Sequence, residues 1–100
     1  MKYDHGKIKY GLVPPASLEA IAKALTHGAQ KYSANNWKTV EPYRYLDAAF
    51  RHLQASRMGE IIDEDSGQLH LALATTNLIF LLEKQLGTDE NILEDSYEEN

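Results

Sequence analysis

The 100-residue sequence contains no cysteine. That excludes a disulfide framework and any thiolate metal site, and it fits a reducing compartment. No run of about 18 apolar residues is present, so no transmembrane helix is expected. The opening MKYDHGKIKY has basic residues but no apolar stretch behind them, which does not read as a signal peptide. Bases are in short supply, with 10 Lys and Arg against 15 Asp and Glu and a net charge of −5. A strongly basic duplex-binding domain is therefore not expected. What is present, 43% apolar residues and 9% aromatic ones, excludes wholesale disorder. One hundred residues make one domain with a thin core, unless subunits share one.

The acidity is local. Residues 87–100 (GTDENILEDSYEEN) hold six acids and no base, which leaves nine acids and ten bases in residues 1–86. The sequence therefore divides into a near-neutral helical domain, 1–87, and an acidic tail, 88–100. The tail reads as solvated, and its deletion is expected to leave activity or binding intact.

Residues 1–15 read as extended or looped, punctuated by Gly6, Gly11, Pro14 and Pro15. Ser17 can cap a first helix, whose apolar residues Leu18, Ile21, Ala22 and Leu25 have helical spacing. Glu19 and Lys23 form an i, i+4 pair on its outer face. That helix is expected to run on through His27 to Tyr32, before the turn signal of residues 33–36. A second helix is expected from about Tyr43 to Met58, with Gly59 ending it. A third is expected from Ser66 or Gly67 to Leu86, with Gly87 as its stop. The third is apolar on nearly every face, which implies burial on all sides. Three helices in one chain do not easily achieve that, so oligomerisation is expected. The fold class is all-α: a small bundle of three to four helices completed by oligomerisation.

Four groups of residues can carry chemistry. Glu60, Asp63, Glu64 and Asp65 lie between the second and third helices, where carboxylates held close together suit Mg²⁺ or Mn²⁺. The same charges also suit a solvated loop ahead of a helix N-terminus. His52 and His70 flank this loop, and Asn77 shares a helical face with His70. These polar groups must find partners in an apolar setting, whether one another, backbone or a ligand. Arg44, Asp47 and Arg51 form one stripe of the second helix. The arginines can grip phosphate in fork geometry, or the three can form a surface ion pair of small worth. Lys31, Asn35, Asn36 and Trp37 combine a cation, two amides and an aromatic, which suits a purine nucleotide. A helix end, an Asn-rich turn and a core tryptophan explain them without any ligand. Lys7 and Lys9 can complete a phosphate site or remain surface charge.

The segments DHGKIKYGLVPP (4–15), HGAQKYSANNW (27–37), RYLDAAFRHL (44–53), GEIIDEDSG (59–67) and HLALATTNLIFLLE (70–83) together resemble the small phage dATP/dGTP pyrophosphohydrolases, the MazZ-like proteins. These are similar in outline to the all-α MazG-like pyrophosphatases, which work as oligomers. The resemblance implies metal-dependent hydrolysis of dATP or dGTP to monophosphate and pyrophosphate, in phage nucleotide-pool remodelling in the host cytoplasm. It implies Glu60, Asp63 and His70 as catalytic residues, with Asp47 and His52 joining them around Mg²⁺ or Mn²⁺. It further implies Lys7, Lys9, Lys31, Arg44 and Arg51 on phosphate, and Asn35, Asn36 and Trp37 on the base. The partners expected are a purine nucleotide and further copies of the chain, with no membrane and no duplex nucleic acid. The sequence departs from that pattern in two ways. It lacks an ExxE…ExxD pair, its nearest equivalent being Glu60-x-x-Asp63. It also carries Leu73 where such proteins often have histidine, which motivates a second reading: a non-catalytic sponge that sequesters an immune signalling nucleotide.

Overall fold

The computed structural model describes residues 5–31 and 36–87, with the side chains at 31, 36 and 37 outside that description. Three α-helices carry the fold: α1 (Pro15–Lys31), α2 (Pro42–Arg57) and α3 (His70–Leu86). Short 3-10 turns at Tyr10–Leu12 and Asn36–Thr39 precede α1 and α2. Among the described residues there is no strand, and the fold is all-α as the sequence predicts. The acidic tail and residues 32–35 lie outside the described residues.

Each helix start follows from local chemistry. α1 begins at Pro15, two residues before the expected cap Ser17. Proline at the first helical position has a preset φ and lacks only an N–H that would be unpaired anyway. The Pro14 carbonyl accepts the first helical bond, from Leu18 N at 3.1 Å. Helix α1 continues through Gly28 without a break. α2 uses the same device at Pro42, one residue before the expected start.

The end of α2 forms a Schellman motif. Gly59 N donates to Ser56 O at 3.0 Å, and Glu60 N donates to Ala55 O at 2.9 Å. The turn needs a positive φ, and Gly59 supplies it at 101°. This fixes the backbone of Glu60 against the helix end.

α3 starts at His70, later than the expected Ser66 or Gly67. The reason is that residues 60–69 fold back on themselves. Ile62 and Leu69 form an isolated antiparallel bridge. Asp63 N donates to Gln68 O at 2.8 Å and His70 N to Ile61 O at 2.9 Å. The second bond satisfies one of the orphan N–H groups at the start of α3. Ser66 does not cap the helix: its hydroxyl donates to Asp63 Oδ2 at 2.6 Å and accepts from Gln68 N at 3.2 Å.

α3 is the central helix and contacts both α1 and α2. Its interface with α2 is built on small residues, Ala49 and Ala74, each 1% exposed. Tyr45 and Phe80 stack at one end of that interface, with centroids 5.2 Å apart. His52 and His70 meet at the other end. Lys84 Nζ donates to Lys38 O at 3.2 Å and ties the end of α3 to the turn before α2. The core is thin. Ala24 and Ala72 complete the fully buried apolar set with Tyr45, Ala49 and Ala74. α3 is not buried on all sides within one chain: Leu71, Leu78 and Leu82 are exposed on one stripe.

Candidate functional site

The residues that gather are His52, Glu60, Asp63 and His70. Their gathering follows from the two backbone devices above. The Schellman turn sets Glu60 at the end of α2, and the Ile61 carbonyl holds the first residue of α3. His52 lies one and a half turns before the end of α2, on the face that meets α3.

His52 and His70 face each other with Nδ1 atoms 2.9 Å apart. His70 is buried, at 5% exposure, and His52 is half-buried. On the far side of the His70 ring, Nε2 lies 3.4 Å from Glu60 Oε1. That contact is longer than an ordinary hydrogen bond, and Nε2 has no hydrogen-bond partner. Burial holds His52 below the ordinary imidazole range, with His70 and Arg51 acting in the same direction and Asp63 opposing them. Asp63 accepts from Ser66 Oγ at 2.6 Å and from Ser66 N at 3.0 Å. The Ser66 hydroxyl bond is the main reason its carboxyl lies below the usual range. Both rings also favour the Asp63 carboxylate electrostatically.

Asp63 therefore spends one oxygen on its own loop. Asp47 is exposed on the Arg44–Arg51 stripe of α2, away from the face that carries His52. No ion pair joins Arg44, Asp47 and Arg51, although all three are described. Glu64 and Asp65 are exposed at the loop tip, and Lys7 and Lys9 are exposed before α1. Asn77 does share a face with His70, but its amide donates to its own helix, to Leu73 O at 2.7 Å. The site does not use it. Asn35 and the side chains of Lys31, Asn36 and Trp37 lie outside the described residues.

The fit to a divalent cation can be tested on the Glu60–His70 pair. Two ligand atoms each about 2.1 Å from one ion lie about 3.0–3.4 Å apart. The 3.4 Å separation of Oε1 and Nε2 agrees, and Nε2 is a buried atom without a partner. Among the described residues no three His, Asp or Glu side chains converge as a metal-binding group. The described residues thus offer two donors. Only Glu60 is the oxygen donor that Mg²⁺ favours, so any ion there would complete its shell with water and substrate phosphate.

Sequence reasoning missed a cleft. Glu19, Lys23, Gln68 and Leu69 line a space of about 220 Å³ between α1 and the start of α3. A shallower groove of about 390 Å³ continues past Thr26, His27 and Gln30. Glu19 and Lys23 form no ion pair and line both spaces, where the i, i+4 reading placed them on an outer face. The signal was available only in part: nothing in the sequence says that Gln68 and Leu69 approach α1.

No described helix is long and apolar enough to cross a membrane. No solved structure matches the chain. A curated relative, the dATP/dGTP diphosphohydrolase of Salmonella phage PMBT28, is 35% identical over 81 residues. The match takes in 81% of this chain but 28% of the relative, so the chain spans little more than a quarter of that protein's length. A protein family described as "dATP/dGTP diphosphohydrolase, N-terminal" matches residues 1–93. With nearly all of its length inside that match, the chain belongs to the dATP/dGTP diphosphohydrolase N-terminal family.

Proposed function

We infer that the chain hydrolyses a purine deoxynucleoside triphosphate, dATP or dGTP, to the monophosphate and pyrophosphate, in phage nucleotide-pool remodelling in the host cytoplasm. The observation that carries this reading is the Glu60–His70 pair: a carboxylate facing a buried, unpartnered imidazole nitrogen at 3.4 Å. Family membership and the phage relative's name support the substrate class.

Water attacks the α-phosphorus, one P–O bond forms, and the bond to the β-phosphate oxygen breaks to release pyrophosphate. Glu60 and His70 are the residues that would hold Mg²⁺ or Mn²⁺. Such an ion would offset phosphate charge and acidify the attacking water. Asp63 adds negative charge beside the histidines and keeps the loop in shape. Arg44, which lies over the Tyr43 ring at 5.9 Å, and Arg51, both exposed on α2, are assigned to phosphate oxygens in fork geometry. Lys7, Lys9 and Lys31 are assigned the remaining phosphate charge, and Asn35, Asn36 and Trp37 the base.

The site operates in a homo-oligomer. Leu46, Phe50 and Leu53 repeat at i, i+4 and i+7 on α2, all exposed, as are Leu71, Leu78 and Leu82 on α3. Such stripes are the faces that helices bury against a second copy.

Purified chain incubated with each dNTP and Mn²⁺ is expected to release pyrophosphate from dATP or dGTP. Absence of turnover with any purine nucleotide sinks the hydrolase reading. One observation favours a second reading, nucleotide sequestration without cleavage: among the described residues no three metal donors converge. Calorimetry with cyclic dinucleotides and ADP-ribose derivatives separates the two. Tight, metal-independent binding without product supports sequestration, and no binding removes it.

A further inference from the structure

The cleft between α1 and the start of α3 is lined by neither Glu60 nor His70, and the chemistry above makes no use of it. Ala16 and Ala20 of α1 stand across it from Leu69 and Ala72, around a space of about 220 Å³. Side chains this small leave an apolar slot between the two helices. Ligand sites are typically such slots, with a few polar groups placed on their walls.

Three polar side chains stand at this slot: Glu19, Lys23 and Gln68. Glu19 and Lys23 lie one turn apart on α1, yet no ion pair joins them, and no described residue pairs with either one or with the Gln68 amide. The backbone of Gln68 is fixed on both sides. Its carbonyl accepts from Asp63 N at 2.8 Å, and its N–H donates to Ser66 Oγ at 3.2 Å. The loop that places Asp63 therefore also holds Gln68 against α1.

The charges select among the parts of a nucleotide. A carboxylate beside a single ammonium is a poor phosphate site, and no arginine lines the cleft or the groove beyond it. A flat, neutral group with both donors and acceptors on its edge suits it. Of the four DNA bases only guanine sets two N–H donors, at N1 and N2, side by side and next to an acceptor, O6. A carboxylate accepts both donors and an ammonium donates to the acceptor. Adenine turns its N1 lone pair toward the carboxylate, an unpaired contact that such sites reject strongly.

We propose that this cleft is a guanine subsite, in which Glu19 accepts the N1 and N2 hydrogens of the base and Lys23, with the Gln68 amide beside it, donates to O6. This rests on the purine-nucleotide reading above and deepens it. It chooses dGTP over dATP, and it moves base recognition from Asn35, Asn36 and Trp37 to α1.

The test is calorimetry of the full chain with deoxyguanosine, deoxyinosine and deoxyadenosine. These nucleosides carry no phosphate, so neither metal nor turnover enters the measurement. Deoxyguanosine is expected to bind, deoxyinosine to bind roughly tenfold more weakly for want of the N2 amine, and deoxyadenosine more weakly still. Glu19 is exposed, so Glu19→Gln is expected to keep the helical circular dichroism. It is expected to weaken deoxyguanosine binding roughly 10–100-fold. Ala20→Leu fills the slot and is expected to remove binding; if that variant does not fold, Glu19→Gln decides. Deoxyadenosine binding as tight as deoxyguanosine, no binding of deoxyguanosine, or a Glu19→Gln affinity within twofold of wild type overturns the proposal. Deoxyguanosine binding that Glu19→Gln removes, without pyrophosphate release from dGTP, sinks the hydrolase reading and leaves the subsite standing. Equal kcat/KM for dATP and dGTP, unchanged in Glu19→Gln, sinks the subsite and leaves the hydrolase reading standing.

Discussion

Tyr45 of α2 stacks on Phe80 of α3 with ring centroids 5.2 Å apart and planes tilted by 48°. The stack closes the α2–α3 interface at the end opposite the histidine pair. Its phenol hydroxyl is buried and has no hydrogen-bond partner. Burial pushes the Tyr45 phenol up to about 12 from its ordinary 10.0. Removing the hydroxyl keeps the stack and ends an unpaired burial. Tyr45→Phe is therefore expected to be more stable than wild type by about 1 kcal/mol in urea unfolding at pH 7. The sign in alkali follows from the raised value. The unfolded chain ionises first, so the Tyr45 contribution is intact below pH 10.0 and is lost as pH rises toward about 12. The Phe variant lacks that part of the alkaline decline. A destabilised Tyr45→Phe would show that the hydroxyl has a partner.

Ala49 and Ala74 set how closely α2 and α3 approach, and each is 1% exposed. A larger side chain at either position has no room without moving a helix. Ala74→Leu is expected to cost about 1–3 kcal/mol by urea titration. An equally stable variant would mean that the two helices do not pack through this face.

Glu60, Asp63 and His70 separate into two roles. Glu60→Gln and His70→Gln are each expected to abolish pyrophosphate release while leaving helical circular dichroism unchanged. Asp63→Asn acts on the loop through its two bonds to Ser66, and is expected to lose about 1 kcal/mol of stability while retaining turnover. The lowered Asp63 value makes its contribution present above the ordinary 3.8 and lost as pH falls through the folded value. Asp63→Asn should flatten that acid limb. Complete loss of turnover in Asp63→Asn would return this carboxylate to the catalytic set.

Phe50 lies at the centre of the exposed α2 stripe, 59% exposed. Phe50→Asp is expected to convert the homo-oligomer to monomer, read as molar mass by light scattering. A wild-type monomer, or an unchanged mass in the variant, removes the shared-core reading.

Much of the fold was legible because the signals are local. Proline at 42, glycine at 59 and glycine at 87 bound α2 and end α3 within a residue of the expected positions. The start of α3 was not legible, because Ser66 has a capping residue's chemistry and uses it on Asp63 instead. Which side chain receives a hydroxyl depends on the path of the loop, and that path is set by the Ile62–Leu69 bridge. The carboxylates were visible as a group, but their separation was not. Glu60 turns to His70, Asp63 to Ser66, and Glu64 and Asp65 to solvent.

The sequence by itself determined an all-α chain and an acid loop between two histidines. These follow from residue type and spacing, which act over a few positions. Only the tertiary structure decided that His52 meets His70, that of the loop acids it is Glu60 that faces the buried Nε2, and that Asn77 turns back onto its own helix. Those outcomes depend on how α2 crosses α3 and on the fold of the loop between them. Contacts of that kind join residues up to eighteen apart, and no helical period encodes them.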